Sequence, residues 1–337
     1  MIRFGIVGFG LHAVKRLIPG FGPARNCRVS ALSRRDLNRA RETAAQYGIP
    51  HGFASAAELC SSPEVDAVFV ASPDALHLRD VLTAIQCGKP VLCEKPMAMN
   101  PAECRQMVAA ARAAGVLLGV AHVFRFEDST ARLRDRVAAG QVGRPVFARA
   151  EFCYSGRQHP RSWLTDPTLA CGGPIADVGV HCIDALRYIL QDEVVRVTAR
   201  SLHDQGSGAV EAAASLTLEF LSGTLGTVMV STRAEYRTPI EIVGESGVLR
   251  ADDGLNVDRP ISLQRWRNGA VVETEVVSNH LAYTHQVEAF AAAIEGKGIF
   301  PATGEEGWQN QEILDSAYRS TRSGVAEDVR RIKGLDL

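Results

Sequence analysis

Basic residues are not in surplus: 37 Lys and Arg stand against 38 Asp and Glu, a formal net charge of −1 over 337 residues. Without a surplus a phosphate backbone goes unneutralised, which excludes nucleic acid as the main partner and disfavours an anionic membrane surface. No run approaches the roughly 18 apolar residues that a membrane-spanning helix needs. Paired cysteine motifs are missing as well. The eight cysteines, at 27, 60, 87, 93, 104, 153, 171 and 182, form no C-x-x-C and no zinc-like spacing. They read as reduced, mostly buried small apolar residues. Internal repeats and low-complexity segments are also absent. Met1-Ile2-Arg3-Phe4-Gly5 runs straight into a strand-like segment and leaves no room for a signal peptide. The expectation is a soluble, cytoplasmic protein.

What is present suits a folded chain: 46% apolar and 22% charged residues, with enough length for two domains. Residues 2–7 (IRFGIV) make an apolar run short enough for a buried parallel strand. Gly8-Phe9-Gly10-Leu11-His12-Ala13 follows, matching G-x-G-x-x-[GA] with a strand before it and a helical pattern after it. The first glycine permits the tight turn, and the second lets a pyrophosphate approach the backbone. Ala13 lets helix and strand pack closely, and the helix N-terminus offers N–H groups to the phosphates. Strand-like 28–33, 65–71, 90–93 and 116–120 then alternate with helical 36–48, 78–88 and 102–114. That alternation predicts a doubly wound parallel sheet binding a dinucleotide.

The end of the second strand bears on which nicotinamide cofactor is preferred. A carboxylate there would hydrogen-bond the ribose 2′-hydroxyl and repel a 2′-phosphate. This chain has Ser33-Arg34-Arg35 instead, a hydroxyl and guanidinium groups that suit a phosphate. Asp36 comes late and fits a helix cap. The reading is NADP, with NAD possible, held by Gly8, Phe9, Gly10, Leu11, His12, Ser33 and Arg34.

Four separated segments carry a resemblance to a known family. They are Gly8-Phe9-Gly10, then Ser72-Pro73-Asp74-Ala75-Leu76-His77, then Gly88 to Pro96 (GKPVLCEKP), then Gly172 to His181 (GGPIADVGVH). Pro301-Ala302-Thr303-Gly304 near the end adds to them. In this order they make the chain resemble the glucose–fructose oxidoreductase, inositol dehydrogenase and MocA family. The resemblance implies an N-terminal Rossmann domain and a C-terminal α+β domain with a large open, mainly antiparallel sheet. It also implies hydride transfer with a nicotinamide cofactor on sugars or cyclitols, and pairing through the sheet as a homodimer or homotetramer. It places Lys95, Asp177 and His181 at the family's catalytic positions. Ser72, Pro73, His77, Glu94 and Lys95 fall on the cofactor side. Asp74 departs from the Asn more usual in that motif.

The chemistry asks for such residues. Hydride transfer at a carbinol carbon needs a proton carrier and a stabiliser of negative charge on its oxygen. His181 suits the first with its ordinary pKa of about 6.5, and Lys95 the second. Helical periodicity puts Asp177, His181 and Asp184 on one face, so one carboxylate can orient the imidazole while another meets a substrate hydroxyl. The same three residues would also suit a metal. That reading is set aside, because no further His or Cys stands at ligand spacing and nicotinamide chemistry needs no metal. Arg125 reads equally as a structural ion-pair partner or a ligand contact, and Cys182 as buried. Arg157, His159, Arg161 and Trp163 form a loop cluster, and Tyr283 and His285 open the last long helical pattern (THQVEAFAAAIEG, 284–296); none of these is assigned a role.

The boundary is placed at residue 123, giving domains 1–123 and 124–337. Strand-like segments at 146–154, 194–202, 210–220, 224–231, 240–243, 247–251, 261–266 and 271–276 predict an antiparallel sheet. Helices at 131–139 and 175–190 are expected to cover one face, leaving the other for a second subunit. Two other functions stay open: a hydrolase or lyase that retains the dinucleotide and oxidises its substrate transiently, and a non-catalytic dinucleotide sensor.

Overall fold

The computed structural model describes residues 1–156, 162–204 and 210–332. Two compact units emerge: Met1–His122 with Tyr283–Trp308, and Val123–Ala282 with Gln309–Leu337. The first contains six parallel strands, β1 (Ile2–Val7), β2 (Cys27–Ser33), β3 (His51–Phe53), β4 (Ala67–Val70), β5 (Val91–Cys93) and β6 (Leu118–Val120). Their order is β3-β2-β1-β4-β5-β6. Strands flanked by helices on both faces run mostly apolar, and Phe4, Ile6, Val68 and Phe69 are fully buried. The order reverses between β1 and β4, so the crevice beyond their C-terminal ends, next to Gly8 and Ser72, is where such sheets bind ligands.

Local capping sets the helices. Asp36, Ser55 and Asn100 each accept an N–H in the first turn of the helices Leu37–Gln46, Ala56–Ser61 and Pro101–Ala114. After the glycine turn the chain makes a π turn, Ala13–Leu17, and a short helix, Ile18–Phe21. The segment 283–308, which the sequence reading gave to the second domain, packs in this first unit. Phe290 lies 6.1 Å from Phe4 and 5.1 Å from Phe300, ring centre to ring centre, which ties the late helix Ala282–Ile294 to β1.

The second unit holds a nine-stranded sheet. Its strands are β7 (Pro145–Cys153), β8 (Val194–Leu202), β9 (Ala213–Phe220), β10 (Leu225–Ser231), β11 (Ile240–Gly244), β12 (Gly247–Ala251), β13 (Pro260–Arg267), β14 (Ala270–Ser278) and β15 (Glu327–Asp328). The order β14-β13-β12-β11-β7-β10-β9-β8-β15 is antiparallel except for the parallel β7–β10 pair. Alternation along the strands buries Ala148, Ala150, Leu216, Val228, Val230 and Ile242 on one face. The helix Val180–Leu190 packs on β7 and β10, and Asp128–Ala138 packs beside it. On the other face the register aligns Leu225, Phe147, Val243, Val248, Trp266 and Val271 in one apolar row across six strands. Phe147 is 53% exposed there.

Candidate functional site

In the first unit the fingerprint turn is shaped by close approach. Gly8 has φ +79°, and a Cβ on it would lie 2.5 Å from the Ser72 backbone nitrogen, so only glycine fits between the ends of β1 and β4. Gly10 differs. A Cβ there would meet nothing nearer than the Gly8 carbonyl at 3.8 Å, which leaves an open backbone face. Such a face before a helix N-terminus fits a pyrophosphate. The Phe9 ring packs on Tyr47 at 5.6 Å and its N–H reaches the Ser33 carbonyl at 3.4 Å. What Phe9 offers a nucleotide is therefore the path of its backbone.

At the end of β2, Ser33 is buried, while Arg34 is exposed and donates from Nη1 to Thr43 Oγ1 at 2.8 Å. Asp36 Oδ1 accepts the Arg39 N–H at 2.8 Å, the helix cap read from the sequence. That engagement leaves the strand end without a carboxylate aimed at a ribose.

His12 and Glu94 join the fingerprint helix to the end of β5, with Nε2 2.8 Å from Oε1. Burial is the largest single influence on the Glu94 carboxyl and raises its pKa. The neighbouring His12, then Lys95 and His77, outweigh it and hold the group below its ordinary value. Glu94 Oε2 also accepts the Lys95 N–H at 3.2 Å. Lys95 is half-buried, and its peptide bond to Pro96 is cis. His77 is buried with Nε2 2.8 Å from the Ser72 carbonyl and Nδ1 3.0 Å from the Pro96 carbonyl. It ties the Ser72-Pro73 turn to Pro96, the residue after Lys95. Ser72 Oγ donates to buried Asp80 at 2.7 Å.

In the second unit Asp177 lies in a π turn, Ile175–Gly179, which runs into Val180–Leu190 and brings His181 one turn later. Both are buried, at 9% and 8% exposure. The Tyr154 hydroxyl at the end of β7 donates to Asp177 Oδ2 at 2.8 Å. The His181 ring meets Phe124 edge-on at 4.6 Å and stacks on Phe152 at 6.1 Å, so aromatic walls fix its plane. Asp184 has another task. Arg125 forks onto it from Nε at 3.0 Å and Nη2 at 2.7 Å, and Asn310 Nδ2 donates at 2.7 Å. Arg187 extends this buried network to Asn310 at 2.8 Å and to Glu193 at 2.5–3.0 Å. Arg125 is thus the structural partner, and the two carboxylates that periodicity put on one face stand in two different environments, Asp177 with the Tyr154 hydroxyl and Asp184 with Arg125 and Asn310. Among the described residues, no cluster of three or more His, Cys, Asp and Glu is arranged to hold a metal.

Tyr154 carried no sequence signal, because its partner lies 23 positions away and the pattern of β7 says only that it ends a strand. Cys182 is fully buried, as read from the helical spacing, and burial pushes its thiol well above the ordinary value. Tyr283 belongs to the first unit, 6.0 Å from the His12 ring. Trp163 sits half-buried in a short 3-10 turn, Ser162–Thr165. Arg157, His159 and Arg161 lie outside the described residues.

Comparison with known proteins matches the chain to two family models: an oxidoreductase family with an NAD-binding Rossmann fold over residues 2–122, and the GFO/IDH/MocA C-terminal domain over residues 130–250. The chain belongs to the GFO/IDH/MocA oxidoreductases. Like the family, it is an NAD(P)-dependent enzyme acting on CH–OH groups. It is 34% identical to 1,5-anhydro-D-fructose reductase from Ensifer adhaerens over 98% of this chain and 99% of that one. It is 30% identical to D-xylose 1-dehydrogenase (NADP(+)) 2 from Haloferax volcanii over 97% and 100%. Its fold matches aldose-aldose oxidoreductase from Caulobacter crescentus, solved with glycerol, at a TM-score of 0.89. That likeness covers 97% of this chain and 99% of that one, at 24% identity. No helix among the described residues is long and apolar enough to cross a membrane.

Proposed function

We propose that this GFO/IDH/MocA enzyme prefers NADP and transfers hydride between nicotinamide and a secondary alcohol or carbonyl of a sugar, cyclitol or related polyol. The observation that carries the reading is the buried Asp177–His181 turn, with the carboxylate clamped by Tyr154 and the imidazole walled by Phe124 and Phe152. When bound, nicotinamide accepts or supplies the hydride. The open turn at Gly8-Phe9-Gly10-Leu11-His12 would hold its pyrophosphate, with Ser72, Pro73, His77 and Glu94 shaping the crevice beyond β4 and β5. His181 moves the proton on the reacting oxygen. Lys95 stabilises negative charge on that oxygen. Asp177 presents a fixed carboxylate to the substrate's hydroxyls.

The test is the nicotinamide absorbance of pure protein mixed with NADP or NAD and a pool of sugars, cyclitols and their keto forms. A change in the nicotinamide signal is expected, larger with NADP. Unchanged absorbance, with dinucleotide released only on denaturation, would instead show the hydrolase or lyase chemistry.

For the cofactor, exposed Arg34 and a strand end without an acidic residue favour a 2′-phosphate. The NADP relative from Haloferax volcanii points the same way. A charge-assisted contact contributes about 1.5–3 kcal/mol. Arg34→Ala is therefore expected to weaken NADP roughly tenfold or more while NAD changes little, read by fluorescence titration. Equal weakening of both would remove Arg34 from phosphate recognition.

For assembly, the apolar row on the open sheet face fits a second copy of the chain, giving a homodimer or homotetramer. A contiguous apolar strip of this kind is rarely left to water. Phe147→Asp places a charge within it and is expected to halve the mass measured by light scattering. A parent protein that is already monomeric overturns the pairing.

A further inference from the structure

The π turn that carries Asp177 begins at Gly172-Gly173-Pro174, and residues far along the chain hold that start. The Glu211 carboxylate accepts the Gly173 N–H on Oε2 at 3.0 Å and the Ile175 N–H on Oε1 at 2.9 Å. The Tyr318 hydroxyl donates to the same Oε1 at 3.0 Å. Glu211 is only 3% exposed. Packing here explains both glycines. A Cβ on Gly172 would lie 1.8 Å from the Tyr318 hydroxyl oxygen, and one on Gly173 2.2 Å from the Glu211 carbonyl oxygen. The Gly173 carbonyl in turn accepts the N–H groups of Ala176 at 3.0 Å and Asp177 at 2.9 Å. Hydrogen bonds link Tyr318 to Glu211 and Glu211 to the Gly173 N–H, and the carbonyl of that same residue holds the Asp177 N–H.

This differs from an ordinary helix cap. A capping Ser or Asp is local and satisfies an N–H two or three residues ahead. Glu211 arrives from 38 and 36 residues away and brings a full charge to the positive end of the helix. Its two oxygens take three donors at once, and charge-assisted bonds are the stronger kind. Burial, and then the adjacent Glu211 charge, hold the Tyr318 phenol well above its ordinary value, so it remains a donor.

We propose that Glu211, anchored by Tyr318, is a positioning residue that sets where Asp177 and His181 stand. Its consequence for turnover rests on the catalytic reading of those two residues; the placement itself can be measured without it. Glu211→Gln is the sharpest variant. Whichever way the amide turns, its NH2 group faces at least one of the two backbone N–H groups, so one bond is lost and two donors meet.

The experiment uses full-length protein labelled with carbon-13 at histidine. Ring currents from Phe124 and Phe152 make the His181 signal a position marker, and His181→Asn identifies it among the nine histidines. In Glu211→Gln the His181 signal is expected to shift while those of surface histidines stay. The Gly173 and Ile175 amides should exchange about tenfold faster or more. Tyr318→Phe should move the signal in the same direction by less. The double variant should be no worse than Glu211→Gln alone, since the hydroxyl acts through the carboxylate. If Glu211→Gln does not fold, Tyr318→Phe and Glu211→Asp carry the same test. An unmoved His181 signal with both amides still protected overturns the proposal. In turnover, kcat should fall about tenfold with the dinucleotide KM unchanged. A fully active His181→Asn would strike the catalytic reading and leave the positional result standing. An inactive His181→Asn beside an unmoved signal in Glu211→Gln strikes only the positioning role.

Discussion

Lys95→Ala is expected to lower kcat on the order of a hundredfold or more while dinucleotide affinity stays within about twofold of the parent. Lys95 stands just past the end of β5, the edge of an open parallel sheet where ligands bind. Its backbone is pinned through its N–H to Glu94 Oε2, and Glu94 is held by His12. The pinning is carried by the main chain and survives the substitution, so the loss isolates the ammonium. Single-turnover nicotinamide absorbance with the best substrate from the sugar pool separates the chemical step from binding. Turnover within threefold of the parent would take Lys95 out of the mechanism.

The second large effect is on stability. Arg125→Leu leaves the Asp184 carboxylate, 1% exposed, without its guanidinium. Breaking such a buried pair costs about 3–5 kcal/mol, because a charge remains with its desolvation unrepaid. The melting transition is expected to drop on the order of 10 °C. Replacing both members, Arg125→Leu with Asp184→Leu, removes the stranded charge and should recover much of the loss. Scanning calorimetry of the parent and the two variants decides it. A double variant less stable than the single one would mean that the stranded carboxylate is not the source. Since Asp184 shares a helix with His181, the same network also keeps that helix seated.

The sequence carried the dinucleotide half almost completely. Gly8, Gly10, the buried run of β1 and the strand–helix alternation are local signals, each readable within a few residues, and the parallel sheet follows from them. So does the Asp36 cap, whose partner is three residues away. Two elements of the first sheet region escaped, β3 and the helix Ala56–Ser61. They are three and six residues long, too short to show a period. Tyr283–Trp308 escaped for a different reason. Its apolar spacing announced a helix, but no helix states which core it will join. Phe290 against Phe4, 286 positions apart in sequence, decided that.

The second unit shows the same division. The sequence pattern predicted eight of its nine strands and missed the two-residue β15, and the Gly-Gly start with Asp177 and His181 marked the residues of interest. A regular helix would set Asp177, His181 and Asp184 on one face. Where those side chains went was decided by partners that come from elsewhere in the chain: Tyr154 on Asp177, Arg125 and Asn310 on Asp184, Glu211 and Tyr318 at the turn. By itself, then, the sequence determined the longer elements, the glycine turn after β1 and the family. Tertiary structure alone decided which buried carboxylate is bound into an ion pair and which is held by a hydroxyl. The physical reason is that propensity and period act over a few residues, whereas a buried charge is settled by whichever donor the fold brings within hydrogen-bonding distance.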